Sequence, residues 1–455
     1  MIKKIASGKN PNFWIFFHAT LGIVSTLSPY ALIAWFYFIL FLSGVKLFSK
    51  KESFFIKISY LIFYLTSFEI LARMSKTSPY IPYELGKYLM FILLITGIFA
   101  GYKKGKTGWF ILILLIPGIV TGYLAGTPLK GFIFNVLGTL NIALAIIYFK
   151  DQVIQQKEFI AFLRLVIYPI ISALAFSIIK TPKYEEIEYS LNASFATTGG
   201  FGSNQVATAF GTILFLLFLF IMFRWDFSQK RWMDIFLLLI FTFQGLLSFS
   251  RGGILGGLMG ITVVLYLNRN ISNQAGHNIN QKKILIYLIP VILLLYGSFQ
   301  LANRITNGML LQRYSGETTG TLSGTREKNL NIITSNRSNI VLEDFKIFIE
   351  YPLWGVGVGQ SSKHRNTTKG QLPHVEFSRL MSEHGLAGLI SFLILSFILL
   401  KIYKRRYKVY MGNIMLALFL IAIFTTSHAA TRTYISPILI GLSLLIVKPQ
   451  IKENK

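Results

Sequence analysis

Apolar and polar residues alternate along this chain in long blocks, without the short periods of a soluble helix or strand. Fourteen apolar stretches recur, at about 12–27, 30–48, 54–72, 87–101, 108–125, 130–149, 161–180, 205–223, 233–250, 252–268, 284–302, 384–400, 410–427 and 433–447. Each approaches the roughly 20 residues that cross a bilayer as a helix. Backbone in hydrocarbon must satisfy its own hydrogen bonds, which leaves helices as the spanning form for blocks of this length. The pattern predicts an all-α polytopic membrane protein of about 12–14 transmembrane helices, with residues 1–455 as a single integral membrane domain. The basic start MIKKIASGKN lacks a small-x-small cleavage pattern, so the first and weakest stretch reads as a retained span, not a signal peptide.

One long polar excursion, 303–383, interrupts the pattern between the eleventh and twelfth apolar segments. It holds ten Lys/Arg together with His364 and His374, and His384 stands at its exit. A loop of this length is usually functional or disordered. Phe345, Ile347, Phe348, Ile349, Leu353 and Trp354 give it something to bury. A folded lid over the membrane core is therefore expected, and with it the reaction chamber.

Composition and charge sharpen this picture. The chain is 53% apolar with a mean hydropathy of +0.57, which a soluble fold cannot hide. A net charge of +27 would point to nucleic acid in a soluble protein. Here 27 of the 45 basic residues flank one side of the predicted spans, eight flank the other and ten lie in the loop. That is the asymmetry of the positive-inside rule, so no nucleic-acid partner is expected and the surrounding partner is membrane lipid. Both termini then face the cytoplasm and the loop faces outward. The absence of cysteine excludes disulfides, thiolate metal sites and a cysteine nucleophile. Chemistry on the outward side is remote from ATP and nucleotide sugars, which leaves a lipid-linked donor.

Several outward-facing constellations carry possible chemistry. Ser250-Arg251-Gly252-Gly253 joins two spans with almost no loop. Arg251 either snorkels or grips an anion such as phosphate, and Gly252, Gly253, Gly256 and Gly257 allow close approach by a neighbour or ligand. Arg432, in Thr431-Arg432-Thr433 with His428 one turn earlier, is either an anion ligand or an interface anchor. Thr197–Asn204 (TTGGFGSN) opens a span, as an anion site at a helix N-terminus or as a plain glycine turn. Gly355-Val356-Gly357-Val358-Gly359 lacks the lysine and Ser/Thr of a P-loop and suits close backbone packing. His374, between Pro373 and Glu376, is either a general base for a hydroxyl or a surface histidine, with His364 and His384 as less constrained alternatives. Glu69 and Arg73 have the spacing of a structural ion pair. The loop carboxylates show no metal-ligand spacing, so no metal site and no cofactor are expected.

In order along the chain, four motifs resemble the O-antigen ligase and polymerase family of bacterial inner-membrane glycosyltransferases. They are GGFGSNQVA at 199–207, FSRGG at 249–253, GTRE at 324–327 with YPLWGVGVG at 351–359, and LPHVEFSRLMSEHGLAGL at 372–389. The family-like core runs over roughly 190–400, and the first 180 residues match only as a stack of spans. Val375 stands where the family commonly has asparagine after the histidine, and Ser194–Thr198 holds no arginine before the glycine/asparagine motif.

The resemblance implies a glycan donor on undecaprenyl diphosphate and an acceptor hydroxyl of the lipid A core, on the periplasmic face of the inner membrane. His374 would be the catalytic base. Arg251, Arg326 and Arg432 would hold the diphosphate without a metal, and transfer would invert the anomeric carbon. Asn204, Gly355, Gly357, Glu376 and Glu383 would line the substrate. A polymerase extending a second lipid-linked glycan would use the same donor and topology, and transfer to a protein hydroxyl is a third choice of acceptor. A lipid-linked glycan flippase or other transporter, as the rival class, predicts charges buried through several spans and an internal repeat. The charges instead cluster at one face.

Overall fold

The computed structural model describes residues 1–47, 53–268, 281–405 and 410–448. Of the basic residues that carried the charge argument, Lys50, Lys51, Arg269, Arg406, Lys408, Lys452 and Lys455 lie outside them. The apolar stretches are helices. In chain order these are α1 (Pro11–Leu27), α2 (Tyr30–Leu47), α3 (Phe54–Leu65, continuing through a 3-10 turn into Glu69–Met74), α4 (Leu85–Phe99), α5 (Lys106–Leu124), α6 (Leu129–Phe149), α7 (Gln156–Lys180), α8 (Ser203–Phe223), α9 (Arg231–Leu247), α10 (Arg251–Asn268) and α11 (Gln281–Ile305). The loop contributes α12 (Arg337–Glu350), and α13 (Glu376–Arg405), α14 (Tyr410–Ala429) and α15 (Ile435–Ser443) follow. Two short strands, β1 (Val153–Gln155) and β2 (Ile446–Lys448), pair in parallel.

Among the described residues, eight helices are long and apolar enough to cross a membrane: α3 with its continuation, α5, α6, α7, α8, α10, α13 and α14. Tyr30–Val45 and Leu85–Phe99 are shorter apolar helices. The protein is thus an all-α polytopic membrane protein, as predicted, with these eight as full-length candidates among the described residues. The last apolar stretch forms a shorter helix. Over 433–447 the helix proper is only α15, nine residues long. At 1.5 Å per residue it rises about 13 Å, well short of the roughly 30 Å hydrocarbon core. Before it, Thr431 packs against Gly138, near the middle of α6. After it, the chain pairs as β2 with β1. The turn carrying Arg432 is therefore packed against the bundle.

At the centre is α8, with 94% of its apolar window buried, while 28% for α5 and 33% for α13 leave these at the lipid-facing rim. The glycines of α10 permit close approach on two sides. A Cβ on Gly253 or Gly257 would strike the α8 backbone at Ala207 or Gly211, and one on Gly252 would strike His428 of α14. This places Arg251, the first residue of α10, beside the end of α14.

Connections assigned to opposite membrane sides gather at opposite ends of the bundle. At the end that carries the loop, Ser194 donates its N–H to Ser248 O at 2.9 Å and Thr127 Oγ1 donates to Val358 O at 2.9 Å. At the other end, Asn12 meets Gln229 at 3.1 Å, Arg164 reaches the carbonyls of Trp225 and Asp226 at 3.2 and 2.9 Å, and Asp151 N–H meets Leu444 O at 3.1 Å.

The loop is folded, as its apolar residues required. One face of α12 is buried through Ile340, Glu343, Asp344 and Ile347. Asp344 pairs with Arg365 at 2.8 Å, both fully buried, and accepts from Ser378 Oγ of α13 at 2.7 Å. Glu343 accepts from the backbone N–H and hydroxyl groups of Thr367 and Thr368. These bonds fasten the lid to the start of α13, which begins eight residues before the predicted apolar stretch at 384 and breaks at Gly385 (φ 60°, ψ −137°). Into that break fits the Pro352 carbonyl, which accepts from Leu386 N–H at 2.7 Å.

Candidate functional site

Four arginines from distant parts of the chain converge at the loop end of the bundle. Arg251 and Arg337 are the first residues of α10 and α12. Cations are disfavoured at helix N-termini, where the dipole is already positive, so both ends present positive charge twice over. Arg251 Nη2 donates to Ile333 O at 2.5 Å and to Ser335 Oγ at 3.3 Å. Arg313 shares Ser335 Oγ at 3.4 Å and reaches Phe249 O at 3.5 Å. Arg432 Nη2 donates to Pro373 O at 2.9 Å. Arg337 Nε is buried without a hydrogen-bond partner.

Among the described residues, none of these four arginines forms an ion pair with a carboxylate. Their hydrogen-bond partners are carbonyls and a serine hydroxyl, which satisfy N–H groups without neutralising the charge, and Glu376 acts on Arg432 only after Arg379 and Arg337. Burial, and then neighbouring guanidiniums, push Arg313, Arg337 and Arg432 down to about 10. Arg251 and Arg337 act on Arg313, Arg251 acts on Arg337, and Arg379 and Arg337 act on Arg432. Partly buried cations that repel one another are costly unless an anion joins them.

His374 stands against this cluster. Its carbonyl accepts Ala430 N–H at 3.0 Å, next to Pro373, whose carbonyl takes Arg432. Burial first, and then the charges of Arg432 and Arg337, hold the imidazole down to about 3, against the pull of a hydrogen bond to the His428 carbonyl. Nδ1 is buried and has no partner. In the tautomer protonated on Nε2, this nitrogen is an acceptor without a partner. His428 itself is engaged, with Nε2 3.0 Å from Thr208 Oγ1 and Nδ1 3.1 Å from Phe424 O.

Both arginine-bearing turns contain a non-glycine residue in the left-handed region two positions before the arginine. Phe249 (φ 56°) precedes Arg251 and Ala430 (φ 50°) precedes Arg432. Such conformations persist only where the surroundings fix them. For Ala430–Tyr434 the fixing groups are two buried ion pairs. Glu376 pairs with Arg379 and accepts from Thr431 N–H at 3.0 Å and Thr431 Oγ1 at 3.1 Å, while Arg379 reaches Asn135 Oδ1 at 2.7 Å. Glu69 pairs with Arg73 and accepts from Tyr434 N–H at 3.1 Å, while Arg73 donates to Arg432 O at 3.4 Å. The Glu69–Arg73 spacing thus forms the pair it promised, and it braces the Arg432 turn.

The residues singled out in the sequence separate into groups. Arg251, Arg432 and His374 come together, and Asn204 joins them through Oδ1, which accepts from Ser250 Oγ at 2.7 Å. Arg326 instead stands exposed, its side chain against Gly320. Arg313 and Arg337 occupy the place expected for a loop arginine. Glu376 has both oxygens committed to Arg379 and Thr431, and Glu383 is buried and bonded to Ser361 Oγ at 2.9 Å. Gly355 and Gly357 have positive φ and pack backbone to backbone: a Cβ would strike Glu383 at the first and Gly122 of α5 at the second. Their N–H groups are used by Tyr351 O and Glu383 O, so the packing reading of this motif holds for both. His384 is buried against Gly118, and His364 is bonded to Gln360 O. Among the described residues no three His, Asp or Glu side chains gather as a metal-ligand group.

No curated protein matched the chain. The family model of O-antigen ligase matches residues 235–393, a stretch that runs from α9 to the middle of α13 and holds Arg251, Arg313, Arg337, His374 and the whole lid. Over residues 235–393 this chain is therefore similar to the O-antigen ligase family.

Proposed function

We propose that the protein transfers a glycan from undecaprenyl diphosphate to a hydroxyl of the lipid A core, at the periplasmic face of the bacterial inner membrane. One observation carries the reading. Arg251, Arg313, Arg337 and Arg432 act on one another without an ion-pair partner, and Arg337 and Arg432 act on His374, whose buried Nδ1 has no hydrogen-bond partner. Guanidinium groups grip phosphate oxygens in charge-assisted pairs, and a diphosphate would offset the mutual repulsion of this set.

In the proposed step, His374 Nδ1 takes the proton of the acceptor hydroxyl. The acceptor oxygen attacks the anomeric carbon from the side opposite the diphosphate. The bond from that carbon to the diphosphate oxygen breaks, the lipid diphosphate leaves with the electron pair, and the configuration inverts. The arginines neutralise charge as it develops on the leaving group, the task for which preorganised donors are most effective. Asn204 and Ser250 hold the Arg251 turn. Glu376 and Glu383 act from behind this surface as bracing groups.

The test uses purified protein in lipid with glycan-loaded undecaprenyl diphosphate, offered lipid A core in one reaction and a second donor molecule in another. Transfer to lipid A core that is lost in His374→Ala and Arg251→Ala supports the ligase. Ladders that grow on the donor alone make the protein a polymerase. Turnover unchanged in His374→Ala removes that residue from the mechanism.

A further inference from the structure

We infer that α12 lies in the membrane interface on the loop side, with one flank immersed in lipid, so that the lid is seated on the bilayer as well as on the protein.

This helix carries three kinds of surface, where a soluble surface helix carries two. Ile340, Glu343, Asp344 and Ile347 are buried against the rest of the lid and α13. The exposed side divides lengthwise. One flank is apolar, with Leu342 60%, Phe345 46% and Ile349 63% exposed. At 100° per residue these three fall within about 60° of arc. The other flank is polar, with exposed Lys346 and Glu350 and half-buried Asn339. Lys346 sits at the boundary, where a long stem can lie on lipid with its ammonium in water. A helix with lengthwise apolar and polar flanks is the form that rests in an interface.

The apolar flank is continuous with the lipid-facing surface of the bundle, which identifies its occupant. Just beyond the helix, Leu353 and Trp354 are 61% and 60% exposed. The preceding Pro352 is bonded into the Gly385 break of α13, and Val358 N–H meets Gly118 O of α5 at 3.0 Å. Gly118 lies six residues inside the end of α5, about 9 Å of rise. Around this level the rim helices present exposed Val120, Tyr123 and Leu124 on α5 and Leu386, Ile390 and Leu393 on α13. The chain from Ile349 to Trp354 therefore passes from the lid into the apolar belt without crossing a polar zone, apart from Glu350 on the water flank. Trp354 at that junction suits an interfacial aromatic. The other end of the same helix is Arg337, so the bilayer seat fixes an element whose first residue belongs to the arginine cluster.

The natural chain has no cysteine, so single spin labels can be placed without background. Leu342→Cys, Phe345→Cys and Ile349→Cys would be labelled on one flank, and Asn339→Cys and Glu350→Cys on the other, in full-length protein reconstituted into bilayers. Dissolved oxygen should relax the first three labels more strongly than a water-soluble nickel chelate does, and the order should invert for the other two. Nickel reaching both flanks equally would overturn the inference. Neither reagent reaching the first three would also overturn it, because protein would then cover the flank; spectral broadening between copies would identify a second copy as the cover. The measurement needs no turnover, so it stands apart from the fate of the proposed reaction.

Discussion

Glu376 accepts the backbone N–H of Thr431 at 3.0 Å and its hydroxyl at 3.1 Å, joining the start of α13 to the turn that carries Arg432. The same carboxylate pairs with buried Arg379. It acts on the site through the turn it holds. Glu376→Gln keeps the shape and removes the charge, which leaves Arg379 buried and unpaired. Removal of one partner from a buried pair costs about 3–5 kcal/mol. The variant should melt at lower temperature in detergent and lose donor affinity, as read by KM, more than it loses turnover at saturation. An unchanged melting temperature together with unchanged KM would remove Glu376 from the positioning role.

The arginine set makes a prediction that separates neighbours within one loop. Arg313→Ala and Arg337→Ala should each raise the donor KM. Hydrogen bonds to charged groups are worth about 1.5–3 kcal/mol, which corresponds to roughly a tenfold to hundredfold rise. Arg326→Ala, at an exposed position, should stay within about twofold, as surface substitutions do. Steady-state kinetics against donor concentration decides between these outcomes. A large effect at Arg326 with none at Arg337 would reverse the assignment.

The environment of His374 gives the transfer reaction a pH signature. With its imidazole held down to about 3 by burial and then by Arg432 and Arg337, the free enzyme has a neutral base throughout pH 5.5–8. The profile of kcat/KM should therefore be flat where an ordinary histidine would show a limb near 6.5. Bound diphosphate offsets the two arginines and raises the imidazole, so an acid limb should appear in kcat before it appears in kcat/KM. Stability follows the same linkage. The unfolded chain takes up a proton on this residue below about 6.5 and the folded one does not until about 3. Stability should fall as the pH drops through that window. A kcat/KM limb between 6 and 7 in the unmodified protein would contradict this environment.

The fold class was legible because a bilayer admits few backbone solutions: each apolar block contains a helix, and the parity of basic residues sorted the connections to two ends. The half-length α15 was not legible. Its flanking turn is held by Glu376 and Glu69, 55 and 365 residues away, which supply hydrogen bonds there. Arg251 and His374 stood out because one lies at a loopless junction and the other beside a membrane boundary. Arg313 and Arg337 looked like any of the loop's ten cations, Arg326 included. The usable local sign was that Arg337, like Arg251, opens a helix at the end where a cation is unwelcome.

The break in α13 supplies a last prediction, in which strain and packing can be separated. Gly385 (φ 60°, ψ −137°) and Gly126 (φ 68°) both have positive φ, so alanine at either carries a backbone penalty of about 1–3 kcal/mol. Their surroundings differ. A Cβ on Gly126 meets open space, whereas one on Gly385 would strike the Pro352 carbonyl and the Leu353 backbone. That carbonyl also accepts from Leu386 N–H at 2.7 Å, so yielding to the methyl group breaks the bond that seats the 351–354 turn against α13. Gly126→Ala should lower the melting temperature only slightly. Gly385→Ala should lower it much further and should loosen the lid, seen as faster proteolysis within 337–374 at temperatures where the membrane core remains folded. Equal losses in the two variants would mean that backbone strain alone sets the cost and that the Pro352 seat contributes nothing to holding the lid.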